Sequence, residues 1–181
     1  MKRRSFVASL AAAAAGTAAG SAVLGAQRTS PLPRSATQPR QPADRLIIDA
    51  MGELRTEYTD QILDAMLGSG MDAITITLCD PKPEGDEAFA LAVDSLLEHD
   101  RYLASRPDRF VKATSVADLD RARRAGKLAV FYLYQNTVQF GTSLERVDLF
   151  HRLGLRSVQL TYNTKNHAGV GCWEEGGITA F

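Results

Sequence analysis

The chain has 181 residues, with 21 basic and 21 acidic side chains and a formal net charge of zero. Nothing in that balance suggests a nucleic-acid surface, and two cysteines without metal-type spacing give no zinc-finger framework. The length suffices for one folded domain but is short of the roughly 250 residues of a complete (β/α)8 barrel.

The first 26 residues read as an export signal. Met1-Lys-Arg-Arg-Ser-Phe-Val7 is positively charged, and Leu10 to Leu24 is an Ala-rich, mildly apolar run ending in small residues near Gly25-Ala26. Arg3-Arg4 followed by Ser5-Phe6-Val7 matches a bacterial twin-arginine signal, so the protein is expected to be periplasmic or secreted. The alternative is an N-terminal anchor, but the run falls short of the roughly 20 strongly apolar residues of a spanning helix. Residues 27–44 carry Pro31, Pro33, Pro39 and Pro42 among Ser, Thr, Gln and Arg, a composition that predicts a disordered linker.

From Arg45 the pattern alternates between strand and helix. Leu46-Ile-Ile-Asp-Ala50 is an apolar run of strand length. Thr59-Asp60 opens a helix with Ile62, Leu63, Met66 and Leu67 at helical spacing, closed by Gly68 and Gly70. Ala73 to Cys79 is β-branched and reads as a second strand, and Asp80-Pro-Lys-Pro83 as a loop. A long helix follows over about 85–105, with Phe89, Leu91, Val93, Leu96, Leu97 and Leu103 as its apolar stripe. Phe110 to Ala113 is a minor strand. Ser115 caps a helix over 116–124, with Asp118 in its first turn. Leu128 to Tyr134 is the clearest strand. Ser143 is placed to cap another helix, whose Leu144, Val147, Leu149, Phe150 and Leu153 can face a core. Arg156 to Tyr162 is the fourth main strand, and 163–179 reads as a long polar loop.

Alternating strands and helices predict a parallel α/β sheet. About four of eight strands are present, so residues 45–181 are expected to form the N-terminal portion of a (β/α)8 barrel, incomplete at the C-terminus. Ligands in such folds gather at the C-terminal ends of strands. Those ends here are Asp49 to Glu53, Cys79-Asp80, Tyr134-Gln135-Asn136 and Thr161 to Thr164. Such residues can also cap strands and satisfy turn backbone. Of the histidines, His99 reads as a solvated helix residue beside Glu98 and Asp100, His151 as the outer side of a helix, and His167 as a loop residue near the strand ends.

The segment Leu155-Arg-Ser-Val-Gln-Leu-Thr-Tyr-Asn-Thr-Lys-Asn166, with Gly169-Val-Gly-Cys172 and Gly176 to Phe181, resembles the membrane dipeptidase family, zinc-dependent barrels that hydrolyse dipeptides. Lys127 to Tyr134 after Ala125-Gly126 fits that family's third strand, and the resemblance covers about 46–181. It implies zinc or another divalent metal, a small dipeptide-like substrate and, as an option, a homodimer. Carried over by position, the first-strand metal residues are Met51, where the family has His, and Glu53, where it has Asp. The bridging Glu is replaced by Gln135 and a substrate-contacting His by Tyr162. A thioether does not replace imidazole on zinc, and a neutral amide is a weak ligand. The resemblance thus implies Glu53 as the retained ligand, Gln135, Asn136, Tyr162 and Asn163 as substrate-binding residues, and Asp49 as a support for the first strand end. The function implied is that of an exported metal-dependent dipeptidase; the alternative is a metal-free, non-catalytic binding or structural relative.

Overall fold

The computed structural model describes residues 45–79 and 85–180. The predicted signal, the linker, the loop Asp80-Pro-Lys-Pro83 and Phe181 lie outside the described residues. Five strands form one parallel sheet: β1 (Ile48–Gly52), β2 (Ala73–Thr77), β3 (Phe110–Lys112), β4 (Leu128–Tyr134) and β5 (Leu155–Val158). Four helices connect them: α1 (Asp60–Gly68), α2 (Gly85–Ala104), α3 (Val116–Arg124) and α4 (Leu144–Arg152). The sheet is open rather than a closed barrel.

β4 is the centre. Ala73 through Thr77 of β2 pair one edge, in register with Ala129 through Leu133. The other edge is shared. β3 takes its first half, Phe110 to Lys112 on Leu128 to Val130, and β5 takes its second half, with Ser157 on Leu133 and Val158 on Tyr134. A seven-residue strand outreaches a three-residue neighbour, so two short strands complete its ladder.

Alternation along β2 and β4 sends side chains to opposite faces. Ile74, Ile76, Leu128, Val130, Tyr132 and Tyr134 join the larger core with Ala92, Leu96, Leu103 and Phe150. Ala73 and Ala129 join a smaller one, where Ala113, Leu119 and Ala122 sit. The small side chains let α3 lie close against the sheet.

Caps explain two helix starts. The Thr59 hydroxyl accepts from the Ile62 N–H at 3.4 Å, and Ser115 accepts from Asp118 N–H at 3.2 Å. Ser143 precedes α4 as predicted but makes no side-chain cap bond.

Several predicted features are corrected. β1 runs two residues later than its apolar run. Its ladder shifts register between Asp49 and Gly52, and glycine is required there because a Cβ would stand 2.6 Å from both Asp49 Oδ2 and Ile74 Cδ1. The stripe of α2 is turned: Leu91 and Leu97 are exposed, while Ala88, Ala92, Leu96, His99 and Leu103 are buried. On α4 Phe150 alone is buried; Leu144 and Val147 are exposed. The fourth main strand ends at Val158, one residue before Gln159 N–H reaches the last β4 carbonyl, Tyr134 O, at 2.8 Å.

Candidate functional site

A cleft of about 760 Å³ opens at the C-terminal end of the sheet. Its walls are the β1 end with the loop that follows it, Met51 to Glu57; the β2 end, Thr77 to Cys79; Gln135 after β4; and Ser95, Glu98 and His99 of α2. The volume suits a small molecule, and the position is where parallel α/β folds bind ligands.

Three positions singled out by sequence meet there: Met51, Glu53 and Gln135. Met51 is 54 % exposed and presents a thioether. Glu53 is held by its neighbour, since Arg55 Nε donates to Glu53 Oε2 at 2.8 Å and the Nη2 of the same guanidinium lies 2.7 Å from that oxygen. That carboxylate, with its hydrogen bond first and its charge second, raises the Arg55 pKa above its usual value. Gln135 Nε2 donates to Thr77 Oγ1 at 3.2 Å, tying the ends of β4 and β2.

The other predicted site residues, Asp49, Asn136, Tyr162 and Asn163, do not line the cleft. Asp49 Oδ1 accepts from Met51 N–H at 3.1 Å and fixes the turn below it. Asn136 is buried; its Oδ1 accepts from Val138 N–H at 3.2 Å and its carbonyl from Gln139 Nε2 at 2.9 Å, which shapes a short 3-10 turn at 138–140. Tyr162 and Asn163 support the loop after β5. Their carbonyls accept from Cys172 N–H at 2.8 Å and Trp173 N–H at 3.2 Å, and Asn163 Oδ1 accepts from Cys172 Sγ at 3.2 Å. The chain doubles back so tightly there that a Cβ at Gly171 would fall 2.2 Å from the Asn163 carbonyl carbon. Neither cysteine is in a disulfide; Cys79 borders the cleft and Cys172 is exposed. His151 is exposed, as is His167 in its loop.

Sequence reasoning missed His99. It is buried at 8 % exposure, against the expectation of a solvated residue. Its Nδ1 lies 2.8 Å from Ser95 O, one turn back, and its ring meets Tyr132 edge-on at 6.4 Å. The signal was its spacing: three residues after Leu96 and seven after Ala92 place it on the buried stripe. Thr56 and Glu98 were missed too. Thr56 Oγ1 lies 3.2 Å from Glu98 Oε1, a link from the β1 loop to α2.

The family model described as membrane dipeptidase (peptidase family M19) matches residues 54–179. The chain belongs to the membrane dipeptidase family. No curated protein matches the sequence. Among solved structures, an amidohydrolase from Pseudomonas aeruginosa is similar at 25% identity and TM-score 0.65, over 76% of this chain and 40% of that one. A probable dipeptidase, PvdM, from the same organism shares 15% identity at TM-score 0.58, over 69% and 36%. A metallo peptidase from Rhodobacter sphaeroides, liganded with a phosphinate mimic of the dipeptide L-Ala-D-Ala, shares 13% at TM-score 0.53, over 62% and 44%. The chain spans less than half the length of each of these three. Relatives below 25% identity bear on the fold alone.

The residues gathered here do not fit a metal ion. A thioether, an amide and a carboxylate engaged by a guanidinium are a poor donor set for a divalent cation. Among the described residues no group of three or more His, Cys, Asp or Glu side chains is arranged to hold one. What the cleft offers is hydrogen bonding and charge for a small polar molecule.

Proposed function

We propose that the protein acts as an exported dipeptidase-like hydrolase on small peptide-type amides, with this strand-end cleft as part of its substrate site. The supporting observations are that the family model matches 54–179 and that Glu53 and Gln135, which the sequence resemblance aligns with first-strand and third-strand metal positions, border one cleft. Gln135 and Glu53 supply an amide and a carboxylate for orienting substrate. Export rests on Arg3-Arg4 and the Ala-rich run after it. No helix among the described residues is long and apolar enough to cross a membrane.

A second reading, a metal-free relative that binds without hydrolysing, is favoured by Met51, by Gln135 and by the Arg55–Glu53 pair. The deciding experiment is metal content and L-Ala-D-Ala hydrolysis of the full-length protein. Stoichiometric metal with turnover supports the hydrolase; neither metal nor turnover establishes the second reading.

A further inference from the structure

We propose that a second copy of this chain closes the open sheet: β1 of each copy pairs in parallel with β5 of the other, and the two four-strand runs form one eight-stranded ring. The inference goes beyond the hydrolase reading and does not depend on turnover.

The two edges are the first ground. Every residue from Arg45 to Met51 is exposed, with Leu46, Ile47, Ile48 and Met51 between 45 and 54 %. A strand of a parallel sheet is ordinarily covered on both faces. The backbone is open along the same edge. Ile47 turns toward β2: its N–H reaches Asp72 Oδ2 at 2.9 Å, and its carbonyl accepts from Asp72 N–H at 2.8 Å. Alternation turns the peptide groups of Ile48 and Ala50 the other way, and β1 has no ladder partner on that side among the described residues. At the far side of the sheet, Arg156 through Leu160 are exposed as well. Gln159 N–H reaches Tyr134 O on β4, so the Val158 N–H faces outward. The side chains on the two edges match in kind, Leu46, Ile47 and Ile48 on one, Val158 and Leu160 on the other. Exposed apolar edges are templates for pairing with another chain.

Closure is the second ground. The path β1–β2–β4–β5 is four strands, each parallel to the next. β3 takes only the first half of the β4 edge, as far as Lys112 opposite Val130, and stands outside this path. Four and four make the eight parallel strands that close a ring of this class. A twofold axis along the ring leaves all strands pointing one way. Each β5 then meets a β1 in the parallel sense, the two contacts are identical, and no edge remains. An unrelated strand would cover one edge and leave the other open, so the second copy is the occupant that satisfies both.

The closed pair also completes the cleft. Met51 and Glu53 at the β1 end form one of its walls. A β5 paired to β1 brings its following segment, Leu160 to Asn163, beside them. Tyr162 and Asn163, which do not line the cleft of their own copy, border that of the other.

The test is analytical ultracentrifugation of the 181-residue protein across the micromolar range, with amide hydrogen exchange followed by NMR. The expected result is one species of twice the 19.6 kDa chain mass, in which the Ile48, Ala50 and Val158 amides are protected. Ile48→Lys and Val158→Lys place a charge on an exposed position of each edge, and each should weaken association at least about tenfold. Should either variant disturb the fold, the mass and exchange of the unmodified chain carry the test. A monomer, growth into polydisperse chains, protection of those amides in a monomer (which would place their cover within the same chain), or undiminished association of the folded lysine variants would overturn the proposal. A monomer that hydrolyses dipeptides overturns this inference alone; a closed dimer with neither metal nor turnover overturns only the hydrolase reading.

Discussion

Lys112 Nζ and Asp100 Oδ1 meet at 2.6 Å with side chains 29 % and 33 % exposed, whereas Arg55 and Glu53 meet at 2.7 Å with 59 % and 57 % exposed. The surroundings separate the pairs more than the distances do. Asp100 also accepts from Tyr132 OH at 2.8 Å, and Lys112 donates to Leu153 O at 2.7 Å. That network joins α2, β3, β4 and the turn before β5. Burial first, and the bond to Asp100 second, push the Tyr132 hydroxyl far above its usual pKa, so it stays protonated and donates. Arg55 and Glu53, two residues apart, join nothing but one loop. A polar group with several buried partners holds the fold, and one at a strand end with a single neighbour remains available to a ligand.

The largest effect should follow Asp100→Ala. It leaves Lys112 and the buried Tyr132 hydroxyl without their shared acceptor, and the expected loss is about 3 kcal/mol. Urea unfolding of the full-length variant measures it. A loss below about 1 kcal/mol would break the comparison, since the embedded pair would then behave like a surface one.

Asp72→Ala extends the comparison to the β1 edge. Asp72 is 5 % exposed; its Oδ2 accepts from Ile47 N–H at 2.9 Å and its Oδ1 from Arg123 Nε at 3.1 Å. We expect a loss of about 2 kcal/mol. Hydrogen exchange should rise first at the β1 amides, because β1 is an edge strand held through this carboxylate. Uniform exchange across the sheet would contradict the local role.

Asp118 gives a smaller, pH-dependent effect. The Thr114 N–H, at 2.8 Å, is the main cause of its lowered pKa, with hydrogen bonds from Ser115 and Thr114 and the Arg121 charge adding to it against partial burial. Its pKa falls from 3.8 to about 2. The depressed value means stability present in full above about pH 4 and lost as pH falls toward 2, on the order of 1–2 kcal/mol. Asp118→Asn should flatten the stability profile between pH 4 and 2. An unchanged slope in that window would refute the assignment.

The elements easiest to read in the sequence carry their own boundaries. α3 matches its predicted span because Ser115 and Asp118 mark its start and Gly126 follows its end. β4 matches because a short apolar run of seven, bounded by Gly126-Lys127 and Gln135-Asn136, suits a central strand buried on both faces. β1 slipped by two residues, since its register comes from β2 and a bulge at Gly52, neither visible in the local pattern. α2 was misread because apolar size was weighted over spacing. Ala88 and Ala92 are small but sit where the helix meets the sheet, and His99 follows on the same stripe. Of the site, strand-end positions were legible and their partners were not. Arg55 folding back on Glu53, and Glu98 and His99 arriving from a helix over forty residues on, are tertiary facts.

The smallest effect on stability is expected at the cleft, from Arg55→Ala and Glu53→Gln. Both side chains are more than half exposed and the pair closes a loop of two residues, so little ordering entropy or desolvation is at stake. Each variant should lose under about 0.5 kcal/mol, and the coupling from the double-mutant cycle should be about 0.5 kcal/mol or less. Ligand binding should respond where stability does not. Arg55→Ala removes the one guanidinium among the described lining residues and leaves Glu53 without that partner, so the cleft becomes more negative and a cation should bind more tightly. Glu53→Gln removes a carboxylate and frees Arg55, so cation binding should weaken. Opposite shifts in the affinity of a small organic cation such as n-butylammonium, measured on variants of equal stability, would separate a ligand-facing pair from a structural one. Equal shifts, or a stability loss comparable to that of Asp100→Ala, would show that Arg55 and Glu53 hold the β1 loop instead.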